Sequence, residues 1–164
     1  MRIMMFGDAA SGKSTISNKL GESLGLPVLH LDEAMAKLGR EQKADIREYI
    51  HNEANKADWI IEGNAFTKDP TYRIEQADIV VVFAMNRMMT FLRHVRRSAR
   101  VRLGKESKAG GNTGDLNLGY YVPYIFWKFP GRRQQAHQKA LELNKRVFVV
   151  HSFKQGLDLI ERKL

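Results

Sequence analysis

Residues 1–24 read MRIMMFGDAASGKSTISNKLGESL, and this stretch decides the fold. The apolar run Ile3-Met4-Met5-Phe6 predicts a buried strand that ends at Gly7. Asp8, Ala9, Ala10, Ser11, Gly12, Lys13, Ser14 and Thr15 follow, and then Ile16 and Leu20 recur at helical spacing. The pattern is G-x-x-x-x-G-K-[ST] between a strand and a helix, the setting in which it cradles phosphate. Gly7 and Gly12 let the main chain turn tightly and approach an anion. The loop's N–H groups form a concave nest at a helix N-terminus, where the helix dipole also favours negative charge. Lys13 is placed to reach the β- and γ-phosphates, and the Ser14 hydroxyl to ligate Mg²⁺. The expected ligand is a nucleoside triphosphate.

The strands that follow read outward from this loop. A first helix over about 13–24 stops near Gly25, and Val28–Leu31 predicts a short second strand ending at Asp32. Residues 33–39 and 41–57 have helical spacing, Trp59–Ile61 predicts a third strand ending in Glu62-Gly63-Asn64, and a short helical turn carries Arg73. Ile79–Phe83 is a continuous β-branched run of the kind buried on both faces. Arg146–His151 is the last strand and 155–164 a closing helix. Five short strands separated by helices describe a doubly wound α/β sheet, whose ligands gather at the carboxyl ends of the strands. Asp32 and Glu62-Gly63-Asn64 stand at such ends.

The 164 residues fit one domain with a proper core, here taken as 1–164. No apolar stretch approaches the ~20 residues of a membrane span, and no signal peptide is expected. The absence of cysteine excludes disulfides and thiolate metal sites and fits a cytoplasmic protein. A net charge of +9 implies attraction to phosphates, whether of nucleotides or of nucleic acid.

Much of that charge is local. From Arg87 to Lys108 there are eight basic residues and a single acid, Glu106. On a helix, Met88, Phe91 or Leu92, Val95 and Ala99 would form the apolar face. Arg93, Arg96 or Arg97, and Arg100 would lie on another. Unrelieved like charges at this spacing repel, so some of these arginines are expected to meet phosphate. The glycine-rich segment that follows predicts a lid over about 104–131, succeeded by Arg132, Arg133 and a helix to about Asn144. Such a lid closes over phosphates and supplies positive charge to phosphoryl transfer.

The blocks GDAASGKS, LGLPVLHLDEAM, WIIEGNAF and YRIEQADIVVVFAMNR, followed by the arginine helix, occur in an order that resembles the bacterial DNA topology modulation proteins, a branch of the adenylate-kinase-like P-loop NTPases. The resemblance implies a three-layer sandwich with a five-stranded parallel sheet of order 2-3-1-4-5 and a lid. It implies that Asp32 faces the phosphoryl acceptor, that Glu62 helps hold Mg²⁺, and that Gly63 leaves room for the acceptor. By the same resemblance Arg100 stacks on adenine, Arg132 or Arg133 touches phosphate, and Ser152 and Phe153 lie by the adenine pocket. The fourth strand ends in Ala84-Met85 rather than an acid, so Glu62 or Asp32 must serve the metal.

The expected function is a small kinase that moves the γ-phosphoryl of ATP to a nucleotide-like or small-molecule acceptor. Lys13, Asp32 and Arg132 are its catalytic candidates. Asp32, Glu62, Gly63, Asn64, Arg73 and Arg97 are the acceptor candidates, with Ser14 and Glu62 on Mg²⁺. The alternative is a nucleotide-binding regulator with weak ATPase activity that engages DNA through its positive charge. No helix-turn-helix or other DNA module is legible.

Overall fold

The computed structural model describes residues 1–8, 10–38, 43–64, 70–104 and 118–162. The elements run β1 (Arg2–Gly7), α1 (Lys13–Leu24), β2 (Val28–His30), α2 (Leu31–Leu38), α3 (Lys43–Ala54), β3 (Trp59–Glu62), α4 (Pro70–Gln76) and β4 (Ile79–Phe83). They continue with α5 (Arg87–Arg102), α6 (Leu118–Pro123), a π-helical turn (Tyr124–Lys128), α7 (Phe129–Glu142), β5 (Arg146–Val150) and α8 (Phe153–Glu161). All five strands are parallel, in the order β2-β3-β1-β4-β5. The expected sheet is therefore the observed one.

Alternation along β1 divides the core into two layers. Met4 and Phe6 face Ile50, Ile74, Ala136 and Ala140, from α3, α4 and α7. Ile3 and Met5 face Ile16 and Leu20 of α1, with Phe153 and Leu157 of α8 packed alongside. Both faces of the central strands are thus dry, which explains the unbroken apolar run of β4. Among the described residues, no helix is long and apolar enough to cross a membrane.

Three expectations about local structure change. The second strand stops at His30, so Asp32 lies in the first turn of α2. The described part of the expected lid, from Leu118 onward, is helical, and α6, the π-helical turn and α7 succeed one another through Glu142. Pro123 lacks the N–H that a regular helix would use there, and the wider turn begins directly after it. Residues 105–117 of that lid, together with Ala9, lie outside the described residues.

The third change concerns α5. Its expected apolar face is only partly covered: Phe91 and Val95 are half-buried, Met88 and Leu92 are 56% and 52% exposed, and the arc of Thr90, His94 and Ser98 is buried. His94 stacks on Tyr121 with ring centroids 3.9 Å apart, and Phe91 meets Phe126. Arg87 Nη1 also donates to the Phe126 carbonyl at 3.2 Å. Periodicity identifies an apolar arc but not how far the neighbours extend around the helix, and here they reach from Phe91 to the arc of His94.

Candidate active site

β1 ends at Gly7, which turns at φ 148° against β4. A Cβ here would lie 2.3 Å from the Phe83 carbonyl oxygen, so only glycine permits this approach. The Asp8 N–H donates to that same oxygen at 3.0 Å. The loop then passes through Gly12 at φ 90° into α1, and Phe153 of α8 packs directly beneath it. A Cβ on Gly12 would sit 2.7 Å from the Phe153 ring. Ser152 holds α8 in place by accepting from the Gln155 N–H.

Lys13 is buried, and its Nζ donates to the Asp8 carbonyl at 2.9 Å. Ser14 Oγ donates to Glu62 Oε2 at 3.0 Å, while Lys13 Nζ lies 3.9 Å from Glu62 Oε1. The Glu62 oxygen that meets Ser14 also meets His30 Nδ1 at 3.0 Å. His30 Nε2 is 2.8 Å from Asn18 Oδ1, so both ring nitrogens face acceptors, an arrangement that the doubly protonated ring satisfies. The hydrogen bond to Glu62 accordingly raises the pKa of His30 against the opposing effect of burial. Burial alone would raise Glu62, but the bonds from His30 and Ser14 and the charge of Lys13 outweigh it and hold the carboxyl below its ordinary range.

The loop that follows β3 is tied to the phosphate loop. Asn64 Oδ1 accepts from the Gly7 N–H at 3.0 Å. Fully buried Arg73 donates from Nη1 and Nη2 to the carbonyls of Gly63 and Asn64, at 3.4 and 3.3 Å. Arg73 is thus placed behind this loop and is not one of the cleft-lining residues. Gly63 turns at φ 138°, where a Cβ would meet the Leu31 Cβ at 2.8 Å.

These elements line a cleft of about 470 Å³. Ala10, Ser11, Gly12, Lys13, Ser14 and Thr15 form one wall, Asp32, Glu33, Glu62 and Asn64 another, and Arg93, Arg96, Arg97 and Arg100 of α5 the third. Asp32 keeps exposed surface at the cleft mouth, but loss of water around its carboxyl and the nearby Glu62 charge raise its pKa, with Lys13 and Arg97 opposing. Ser11 Oγ is buried and, among the described residues, has no hydrogen-bond partner, leaving a donor within the phosphate loop.

Arg132 is placed elsewhere. It lines a separate cavity of about 410 Å³ with Pro70, Thr71, Ile74, Gln135 and Lys139, between α4 and α7. Its neighbour Arg133 is the residue that reaches the phosphate loop, with Nη1 3.0 and 2.8 Å from the two carboxylate oxygens of Asp8. Burial raises the Asp8 pKa, and Arg133 partly offsets it. Sequence reading missed this pair and missed His30. The Asp8–Arg133 separation of 125 residues left no local signal. His30 had one, since the pairing of β2 with β3 sets it directly beside Glu62.

Comparison of the whole structure decides the fold. The chain matches shikimate kinase from Bacteroides thetaiotaomicron with a TM-score of 0.63 at 17% identity, covering 99% of this chain and 95% of that one. The fold is that of the small P-loop kinases. Deoxyadenosine kinase from M. mycoides, solved with bound dCTP, matches with a TM-score of 0.58 at 16% identity, covering 99% and 98% of the two chains. A gluconokinase from Sinorhizobium meliloti 1021 matches at 0.51 and 14%, covering 99% and 89%. No family model and no curated protein sequence matches the chain.

Proposed function

We propose that this protein is an ATP-dependent phosphotransferase acting on a small-molecule acceptor, in an adenylate-kinase-like manner. The observation that carries the reading is the Ser14–Glu62 hydrogen bond at 3.0 Å, which joins the phosphate loop to a strand-end carboxylate in the cleft that Asp32 also lines. The comparisons support it at the level of fold. Deoxyadenosine kinase, shikimate kinase and gluconokinase differ in acceptor, so the acceptor must be argued from this chain's own residues.

ATP fits the loop through its N–H nest, Lys13 and the Ser11 hydroxyl, which has no hydrogen-bond partner among the described residues. Ser14 and Glu62 would hold Mg²⁺, which needs only one or two protein oxygens beside phosphates and water. The ion would neutralise charge on the β- and γ-phosphates. The chain's own groups then divide the work. Lys13 stabilises the transferring group, and Asp32 orients the acceptor hydroxyl and takes its proton. That oxygen bonds to the γ-phosphorus, the bond from the γ-phosphorus to the bridging oxygen breaks, and ADP leaves with the electron pair. The arginines of α5 meet negative charge along the cleft.

The test is Mg²⁺-dependent ATP turnover, with and without candidate acceptors, by the wild type and Lys13→Ala. We expect acceptor-stimulated turnover that falls at least ~100-fold in the variant, as for loss of a preorganised electrostatic group, while circular dichroism is unchanged. A folded variant that retained full turnover would remove the phosphate-loop mechanism.

A further inference from the structure

His30 and Glu62 each end a strand, β2 and β3, and the parallel register of those strands pairs the two residues directly. Ser14 and Asn18 stand one turn apart on α1, about 6 Å along its axis. Side chains close the space between helix and sheet. Ser14 Oγ donates to Glu62 Oε2 at 3.0 Å, His30 Nδ1 meets the same oxygen at 3.0 Å, and His30 Nε2 lies 2.8 Å from Asn18 Oδ1. The imidazole thus bridges α1 to the end of β3, and one carboxylate oxygen receives donors from two different elements.

The direction of these bonds follows from donor chemistry. An ionised carboxylate only accepts, so the proton between His30 and Glu62 is carried by Nδ1. Asn18 can meet Nε2 through its oxygen or, with its amide turned over, through its NH₂ group. Nδ1 therefore keeps its proton whether the ring is neutral or charged. Glu62 is only 6% exposed, and a carboxylate so buried depends on fixed donors. Ser14 offers a single proton, and a single hydrogen bond leaves the carboxylate plane free to pivot about the bonded oxygen. The second donor, arriving from β2, removes that freedom.

We propose that His30 is a positioning residue whose Nδ1–H fixes the Glu62 carboxylate in the orientation that presents it, with Ser14, to the Mg²⁺ of the bound nucleotide. This rests on the reading of Ser14 and Glu62 as the protein oxygens that serve the metal. Outer partners that orient a ligand are typically worth about 10–100-fold in metal affinity.

The experiment titrates AMP-PNP into the protein by calorimetry, in EDTA and in saturating Mg²⁺. Asparagine places an N–H near the Nδ1 position and glutamine near Nε2, so His30→Asn keeps the donor to Glu62 and His30→Gln removes it. We expect His30→Gln to bind Mg²⁺-AMP-PNP at least ~10-fold more weakly than the wild type, with affinity in EDTA changed less than ~3-fold. His30→Asn should stay within ~3-fold of the wild type in both conditions. Full Mg²⁺-AMP-PNP affinity in His30→Gln would overturn the proposal and leave the phosphotransferase reading standing. So would an equal loss with and without the metal, which marks a structural staple, or a loss in His30→Asn as large as in His30→Gln. In the wild type, where folding is not at issue, adding Mg²⁺ to the AMP-PNP complex should move the ring ¹⁵N resonances of His30. Resonances that stay in place would likewise overturn the proposal. A wild type that binds AMP-PNP equally well with and without Mg²⁺ would overturn the metal role of Ser14 and Glu62, and the proposal with it.

Discussion

Arg133→Ala should destabilise the protein in a way that depends on pH. Arg133 Nη1 lies 2.8 and 3.0 Å from the Asp8 oxygens, and the two side chains are 19% and 5% exposed. Removing one partner of a fully buried pair costs ~3–5 kcal/mol. Arg133 keeps some water, and the orphaned Asp8 carboxyl can relieve its charge by taking a proton. We therefore expect about 2–3 kcal/mol at neutral pH, read by urea unfolding, or roughly 4–12 °C in Tm for a chain of this size. The sign with pH follows from Asp8, whose pKa is raised in the native state by burial even with Arg133 present. Without Arg133 the native carboxyl holds its proton more strongly than the unfolded one. Acidification therefore favours the native state, and the variant's deficit shrinks as pH falls through that raised value. Arg133→Lys should recover part of the loss. Asp8→Asn combined with Arg133→Ala should cost less than the sum of the single changes. A deficit under about 1 kcal/mol, the range of a solvent-exposed ion pair, would refute the reasoning, and so would a deficit that does not change with pH.

Three further outcomes are expected. Gly63→Ala forces a side chain onto φ 138° and into Leu31, so it should cost at least ~2 kcal/mol in urea unfolding; a loss under ~0.5 kcal/mol, the scatter of an ordinary surface change, would contradict the tight approach. Asp32 titrates above the ordinary carboxylate range, so transfer should fall on the acid side at a correspondingly raised pH, and Asp32→Asn should lower turnover without that acid limb. An unchanged limb in Asp32→Asn would assign it to another group. His30, raised by Glu62, stabilises the fold fully at pH below the ordinary imidazole value, and this contribution fades as pH rises through the raised native value. His30→Gln should therefore be most destabilising in mildly acidic solution and least above that window, as measured by Tm against pH; a flat difference would show that the ring acts by packing alone.

The sheet was legible because its signals are local. An apolar run entering Gly7, a β-branched run at Ile79–Phe83 and helical spacing between them point to strands, helices and a parallel sheet, while the order β2-β3-β1-β4-β5 comes from the family resemblance. The phosphate loop was legible for the same reason, since its glycines and Lys13 act within a few residues of one another. What escaped depends on long-range placement. Nothing near Asp8 announces Arg133, and the choice between Arg132 and Arg133 turns on which way α7 faces the sheet. Arg73 reads as an ordinary cation in a short helix, and only the folded chain shows it buried behind Gly63 and Asn64. In α5 the spacing separates an apolar arc from an arginine arc but does not say which arc the neighbours cover. Tyr121, in the helix that begins at Leu118, stacks on His94, and Thr90, His94 and Ser98 are buried while Met88 and Leu92 are not.

Transfer of the γ-phosphoryl of ATP to a small acceptor in the cleft is tested most directly by ³¹P NMR of Mg²⁺, ATP and a panel of small hydroxy metabolites with catalytic amounts of the protein. A new phosphoester resonance is expected, growing in step with ADP and absent with Lys13→Ala. ATP that stays intact with every acceptor, or that yields only orthophosphate, would contradict it.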